Sequence, residues 1–197
     1  MKTKLMYISS IISMAFGLGG MIIGLSLLSF FIGFTSMVSF VFGLTKFISL
    51  QKRKKVKTKS DELFVAWLIF YCTVTMSFLH FSFAIVDTFF HPDIIKYNVL
   101  MIVYFTAMAF VNIIVGAVNG MFAIRNTSLI VHHLTFIDLA NAIIALSLAH
   151  RAILYFVDFE YARIISCIGG IFFSVLAGLV CVVMFRKQAR QVKSTAV

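Results

Sequence analysis

The chain has 197 residues, of which 61% are hydrophobic and 12% are charged, and its net charge is +10. Soluble domains are about 45–50% apolar and about 25% charged, so a mean hydropathy of +1.05 indicates a membrane protein of one domain and excludes an ordinary soluble fold. The positive charge would favour a nucleic-acid partner in a soluble protein. Here the basic residues lie in short loops beside apolar stretches, so we expect no nucleic acid.

The apolar runs predict six membrane-spanning helices, since about 20 residues suffice to cross a bilayer. The predicted fold is therefore an all-α six-transmembrane-helix bundle. Its helices are predicted at residues 5–25, 29–50, 63–90, 99–124, 129–156 and 162–185, followed by a basic tail over residues 186–197. A cleaved signal peptide over residues 1–20 is the competing interpretation, although no typical small-residue cleavage site precedes Gly24.

Helix ends and helix packing have local signals. Gly17, Gly20 and Gly24 repeat on one face of the first helix, which is typical of close helix contact. Pro92 ends the third helix. The polar turn before the fifth helix offers three capping residues, namely Asn126, Thr127 and Ser128.

Lysine and arginine are distributed unequally between the two ends of the predicted helices, with 14 of the 17 on one side. These are Lys2, Lys4, Lys46, Lys52, Arg53, Lys54, Lys55, Lys57, Lys59, Arg125, Arg186, Lys187, Arg190 and Lys193. Short loops rich in these residues stay in the cytoplasm, so both termini are predicted to be cytoplasmic in a cell-membrane protein. We expect the residues of the basic loop to contact anionic lipid headgroups: Lys52, Arg53, Lys54, Lys55, Lys57 and Lys59.

The six helices can be read as three diverged helical hairpins. Ser77-x-x-His80 on helix 3 is matched by Ser147-x-x-His150 on helix 5, 70 residues later. Serine is common in this chain, so chance is the alternative explanation, and no known repeat motif is present.

A carboxylate lies deep in the fifth predicted helix. Asp138 is nine residues into the helix, roughly 13 Å from its start, and Asn141 shares its face. Asn112 and Asn119 share one face of helix 4, which a short turn joins to helix 5. The two helices are therefore expected to be antiparallel neighbours with these side chains at similar depth, and Thr135 nearby. We call Asn112, Asn119, Asp138 and Asn141 the polar seam.

Two interpretations of the polar seam stay open. An ionisable residue within the bilayer is by default a functional candidate, and Asp138 would then bind a proton or cation on a transport path. Alternatively, the seam consists of interhelical hydrogen bonds that only hold the helices in register.

Two pairs of histidines are secondary candidates. His132 and His133 lie one turn into helix 5, where they could gate the seam or contact headgroups. His80 and His150 lie toward the other side of the membrane, and with Asp87 and Asp158 they could bind a divalent metal. That metal site requires helices 3 and 5 to meet.

Catalytic motifs are not evident. Ser77 with His80, or Ser147 with His150, could hydrogen-bond at helical spacing, but the sequence shows no oxyanion donor. The cysteines, Cys72, Cys167 and Cys181, are isolated in apolar runs and are typical of small buried side chains, so no cofactor is predicted.

A small-solute or ion transporter is the leading functional hypothesis. The alternative is a non-catalytic membrane subunit of a larger transporter, receptor or secretion complex, either with a partner membrane subunit or as a homo-oligomer. An intramembrane enzyme is third. The first two differ in structure, since a transporter should have a polar cavity reaching Asp138. An accessory subunit should enclose Asp138 and leave an apolar face with small residues unpaired.

Overall fold

The computed structural model describes residues 2–27, 29–90, 97–124, 126, 128–157 and 161–195, and all regular structure in these residues is helical. Its six helices are α1 (Lys2–Ser26), α2 (Phe30–Arg53), α3 (Lys59–Phe90), α4 (Val99–Ile124), α5 (Leu129–Phe156) and α6 (Ala162–Thr195). Each is long and apolar enough to cross a membrane. The prediction of six spanning helices is confirmed, and the chain is a multi-pass membrane protein.

Helix α5 is the centre of the bundle, because it packs against α2, α3, α4 and α6. Buried residues make up 67% of its most apolar stretch, compared with 33% in α1, α3, α4 and α6. Polar side chains on α5 therefore face other helices, and the lipid-facing surface is formed mainly by the exposed apolar residues of its neighbours.

Four helices are longer than the sequence predicts: α1 by four residues, α2 by two, α3 by four and α6 by ten. Helix α3 begins at Lys59, where the Thr58 hydroxyl accepts a hydrogen bond from the Asp61 amide and the Asp61 carboxylate accepts one from the Thr58 amide. This reciprocal cap starts the helix within the basic loop. Helix α6 continues to Thr195, so most of the predicted basic tail is helical.

Helices α1 and α2 approach each other closely along the predicted glycine face. A Cβ atom at Gly17 would lie 2.6–2.7 Å from backbone and Cβ atoms of Phe40, which is far inside van der Waals contact. Gly24 lies in the same way against the backbone of Gly33 on α2. Only glycine allows this spacing, so α1 and α2 form a tight antiparallel pair.

One end of the bundle, which we call the basic end, holds the loop after α2, the turn before α5 and the start of α1. There a Glu62 carboxylate oxygen accepts hydrogen bonds from the Ser128 hydroxyl at 2.6 Å and the Leu129 amide at 2.8 Å. Lys54 lies over the ring of Tyr7, 5.1 Å from its centroid. Glu62 on α3 thus caps α5 from another helix.

The residues predicted to cap α5 make other hydrogen bonds than a cap would. Ser128 occupies the cap position but makes no side-chain cap bond, because its hydroxyl donates to Glu62. Asn126 accepts from the Ser128 amide at 2.9 Å, and Thr127 lies outside the described residues.

The three-hairpin arrangement stays a prediction. Helix α1 packs on α2, and α5 packs on α6, but in the described part of the chain α3 packs on α6, α2 and α5 and not on α4. The prediction that α4 and α5 are neighbours is confirmed.

Candidate polar site in the bundle interior

Asp138 forms an ion pair with Lys46 in the interior of the bundle. The Lys46 ammonium lies 2.5 and 2.6 Å from the two carboxylate oxygens, and the side chains are only 1% and 3% exposed. Asn119 donates to Oδ2 of Asp138 at 2.6 Å, and Lys46 donates to the Ser9 hydroxyl at 2.5 Å. We call Ser9, Lys46, Asn119 and Asp138 the ion-pair layer.

The position of Lys46 corrects the prediction from the sequence, which placed Lys46 with the basic residues of the cytoplasmic side and gave Asp138 no charged partner. Lys46 lies seven residues before the end of α2, on a face of the helix that is turned toward the other helices. Its four-carbon stem carries the ammonium into the bundle, where it contacts Ser9 and Asp138. The positions of the basic residues in the sequence did not predict a buried ammonium, because they give neither the length nor the direction of a side chain.

A second group of polar side chains lies one helical turn further along α5. Asn141 donates to Oδ1 of Asn112 at 3.2 Å and to the Ser13 hydroxyl at 3.3 Å, and Ser13 lies 3.4 Å from Oδ1 of Asn112. All three side chains are buried. We call Ser13, Asn112 and Asn141 the amide layer.

The structure thus brings all four residues of the polar seam together, although their function is a separate question. Sequence reasoning missed Ser9 and Ser13, whose spacing of four places them on one face of α1. Thr135 donates to the carbonyl oxygens of Val131 at 3.0 Å and Asn119 at 3.3 Å. It therefore ties α5 to α4 beside the ion-pair layer without contacting Asp138.

Small residues set the distance between α4 and α5 at this level. A Cβ atom at Gly116 would lie 3.7 Å from the backbone carbonyl of Asp138, and one at Gly120 would lie 3.9 Å from the Thr135 methyl group. The short side-chain amides of α4 can reach Asp138 and Asn141 because the two backbones are this close.

The two candidate gating histidines have different surroundings. His133 is fully buried, with Nδ1 3.1 Å from the Leu129 carbonyl oxygen and Nε2 3.1 Å from Oε1 of Gln188 on α6. His132 is half-buried. His133 joins α5 to the extension of α6 and points away from Asp138, as the spacing of five residues predicts, so a gating role stays a prediction.

The residues of the predicted metal site are only partly described. Nδ1 of His80 lies 2.8 Å from the Ser174 hydroxyl of α6, and His150 lies against Gly169 and the ring of Phe173. Asp158 and the side chain of Asp87 lie outside the described residues. Among the described residues, no group of three or more His, Cys, Asp or Glu side chains could hold a metal ion.

The two predicted serine–histidine pairs are not formed as hydrogen bonds in the described part of the structure. His80 contacts Ser174, while Ser77 lies 3.9 Å from the Cys181 sulfur. The Ser147 hydroxyl has no hydrogen-bond partner among the described residues. Residues of α6 therefore contact His80, Ser77 and His150, whereas the sequence predicted pairs within α3 and within α5.

Two cavities on the helix surfaces are almost entirely apolar. One of about 510 Å³ lies between α3 and α6, where Ser77, Ser174, Gly178 and Cys181 alternate with phenylalanines. The other, of about 330 Å³, lies among α1, α2 and α3 and includes Gly24 and Gly33. Neither is lined by Asp138 or Lys46, whose side chains are 3% and 1% exposed, so neither is the polar cavity that the transport hypothesis predicts at Asp138.

Comparison with known proteins finds no matching family model, no matching curated protein and no matching solved structure.

Proposed function

We propose that the protein is a transporter of a small solute or ion, with Asp138 as the working carboxylate. The observation that carries this proposal is the enclosed ion pair of Lys46 and Asp138. Well-packed apolar residues often stabilise a fold as well as a buried ion pair does, or better. Charged side chains are also rare within membranes and typically mark ion or substrate paths.

Lys46 and a transported cation would compete for the same carboxylate. While Lys46 is bound, the pair is neutral and Asn119 satisfies one carboxylate oxygen. A proton or cation that reaches Asp138 replaces this attraction and releases the ammonium, for which Ser9 is a second acceptor. Two arrangements of the same side chains then differ by one bound ion.

The division of the site between helix pairs also supports transport. Ser9, Ser13 and Lys46 belong to the tight α1–α2 pair, whereas the polar seam belongs to α4 and α5. Three contacts join the two helix pairs, namely Lys46 with Asp138, Ser13 with Asn112 and Asn141 with Ser13, and the other contacts of the two layers lie within one pair. Rocking of one helix bundle against another around a central site is the usual basis of alternating access.

A non-catalytic accessory subunit is the second candidate function. Asp138 is enclosed, as this candidate requires, and the groove between α3 and α6 leaves Gly178 with no atom within 4 Å of a Cβ position. The glycine face of α1 does not favour it, because α2 covers that face.

The orientation and lipid contacts are part of the proposal. The basic end would face the cytoplasm, with the headgroups of anionic lipids next to the loop. Lys52 and Lys55 line a cavity of about 400 Å³ there, with Ser60 and Asp61, and each basic residue near such a surface contributes about 1 kcal/mol.

Ion flux through the purified protein in liposomes tests the proposal. Imposed gradients of H⁺, Na⁺ and K⁺ are followed with ion-sensitive dyes, and wild-type protein should dissipate at least one of them faster than empty liposomes. Asp138→Asn should abolish this flux, and Lys46→Met/Asp138→Asn should do so without leaving an unpaired buried charge. Asp61→Asn is the control, since Asp61 is exposed.

Two outcomes would refute the transport proposal. One is a wild-type flux equal to that of empty liposomes for all three ions. The other is an Asp138→Asn flux equal to that of the wild type. Either outcome would leave the accessory subunit as the better candidate, which co-purification of a partner membrane protein would then support.

A further inference from the structure

Two hydroxyl side chains continue the line of Lys46 along α2. Ser39 lies seven residues and Thr35 eleven residues before Lys46, so helical periodicity places all three on one face. Thr35 and Ser39 are fully buried. Because Lys46 reaches Asp138 and α2 packs on α5, this face points into the bundle.

Four buried polar atoms, two on this face of α2 and two in the amide layer, have no hydrogen-bond partner in the described part of the protein: Thr35 Oγ1, Ser39 Oγ, Asn112 Nδ2 and Asn141 Oδ1. An unsatisfied buried polar group destabilises a fold, and the hydrocarbon of a bilayer offers it no partner. Several such atoms along one line therefore call for hydrogen-bonding molecules between the helices.

The four atoms lie on the same side of the ion pair. Asn141 is one turn beyond Asp138 on α5, and Ser39 is two turns before Lys46 on the antiparallel α2. Gly43 of α2 lies beside Ser10 and Met14 of α1, whereas Phe40 lies beside Gly17, so Ser39 is about one turn beyond the amide layer. Thr35 is one turn further, five residues after α2 begins at Phe30.

We propose that a line of buried water molecules runs from the amide layer past Ser39 and Thr35 toward the end of the bundle where α2 begins, and that Asp138 exchanges protons with it. Buried waters make about three hydrogen bonds each, and the two amides of the amide layer, with Ser39 and Thr35 about one and two turns further, offer side-chain partners along this line. The proton exchange with Asp138 rests on the proposed transport function, whereas the line of water molecules does not.

The ligands around Asp138 favour a proton over a metal cation. Lys46 and Asn119 both present N–H donors to the carboxylate, which leaves the amide oxygen of Asn119 as the unpartnered oxygen of the ion-pair layer. Hard cations require about six oxygen ligands. A proton requires one carboxylate oxygen and one water.

The step is a simple proton transfer. A hydronium ion at the amide layer gives its proton to a carboxylate oxygen of Asp138, forming the O–H bond of a carboxylic acid and leaving water. The net charge of the pair changes from zero to +1, and Lys46 loses its ionic partner. The reverse transfer restores the pair.

Among the described residues of the helices packed around Asp138, Lys46 on α2 is the charged group that faces it. The residues that contact this layer from α1 and α4, Ser9 and Asn119, are uncharged. His133 on α5 points at α6, and His80 on α3 contacts α6.

Hydroxyl-radical footprinting of the wild-type protein tests for the water. Radicals generated from buried water oxidise nearby methionines, and two fully buried methionines provide a matched pair. Both belong to apolar core clusters, but Met108 lies one turn from Asn112 on α4, whereas Met184 lies on α6. Met108 should be oxidised at least fivefold faster than Met184, and equal rates would overturn the proposal.

Cysteine labelling provides a second readout, in a chain whose three native cysteines are replaced by alanine. Ser39→Cys should react with a small water-soluble methanethiosulfonate at least ten times faster than Val38→Cys, a fully buried neighbour in the apolar core. Reaction of Ser39→Cys at the rate of Val38→Cys would contradict a hydrated face.

Proton flux separates this inference from the proposed function. Thr35→Val with Ser39→Ala should lower the flux at least tenfold, whereas Ser36→Ala, a buried hydroxyl next to Gly20 of α1, should leave it unchanged. Flux lost in Asp138→Asn but retained in the Thr35/Ser39 variant refutes the water path alone. Rapid oxidation of Met108 with no effect of Asp138→Asn refutes the transport function alone.

Discussion

At the scale of single residues, the ion pair of Lys46 and Asp138 is the feature with the largest energetic consequences. Each charge loses its hydration on burial, and the partner at 2.5 Å together with Asn119 and Ser9 replaces it. Removing one member of such a pair is far more damaging than removing both, because it leaves an uncompensated charge.

A double-mutant cycle tests this coupling. Lys46→Met alone should lower the free energy of unfolding by about 3–5 kcal/mol, because the Asp138 carboxylate is left unpaired. The double variant Lys46→Met/Asp138→Asn should lose less than the sum of the two single variants. Thermal unfolding in detergent measures all four proteins, and additive losses would show that the two side chains do not interact.

At the scale of helices, two contacts hold elements that the sequence places far apart. Glu62 on α3 caps α5 across 66 residues of chain, and the glycines of α1 admit the backbone of α2. Both contacts control the position of the ion-pair layer, since α5 carries Asp138 and the α1–α2 pair carries Ser9 and Lys46.

The cap of α5 can be tested by removing Glu62. Glu62→Ala should lower stability by about 1–2 kcal/mol, in the range of helix caps and hydrogen bonds to charged groups. It should also speed hydrogen exchange at the Leu129 amide, which donates to Glu62. Asp61→Ala is the comparison, because it removes a cap of α3 only; equal protection of Leu129 in both variants would contradict the long-range cap.

The glycine contact can be tested with alanine. Gly17→Ala should destabilise the protein by about 1–3 kcal/mol, the usual cost of overpacking, because Phe40 would have to move. Gly178→Ala should be neutral or stabilising, since its Cβ position has no atom within 4 Å and alanine favours helix over glycine. Equal melting temperatures for the two variants would rule out a tight α1–α2 contact.

At the scale of the whole molecule, the basic end gathers the loop after α2, the start of α1 and the turn before α5, and Val157 at the end of α5 lies at the opposite end. The charge difference between the two ends predicts the orientation in the membrane. Because the helices alternate in direction, one accessible position at each end is enough to establish it.

Labelling of intact cells tests the orientation. In a chain without native cysteines, Val157→Cys, which is exposed, should react with a membrane-impermeant maleimide added outside. Lys55→Cys, also exposed, should react only after the cells are opened. The reverse pattern would place the basic end outside and refute cytoplasmic termini.

The sequence by itself determined the lipid environment of the protein, its six helices and the composition of the polar seam. Long apolar runs, short polar turns and side chains at helical spacing are local properties, and they survive folding unchanged. They were sufficient to predict that α4 and α5 bring Asn112, Asn119, Asp138 and Asn141 to one depth.

Only the tertiary structure decided what pairs with this seam. Lys46 is 92 residues from Asp138 in sequence, and its ammonium reaches the interior through the length and direction of its side chain. Ser9 and Ser13 join it because α1 packs on α2 through glycine. Such partners depend on which helices are neighbours and how they are rotated, and helical periodicity carries no information about either.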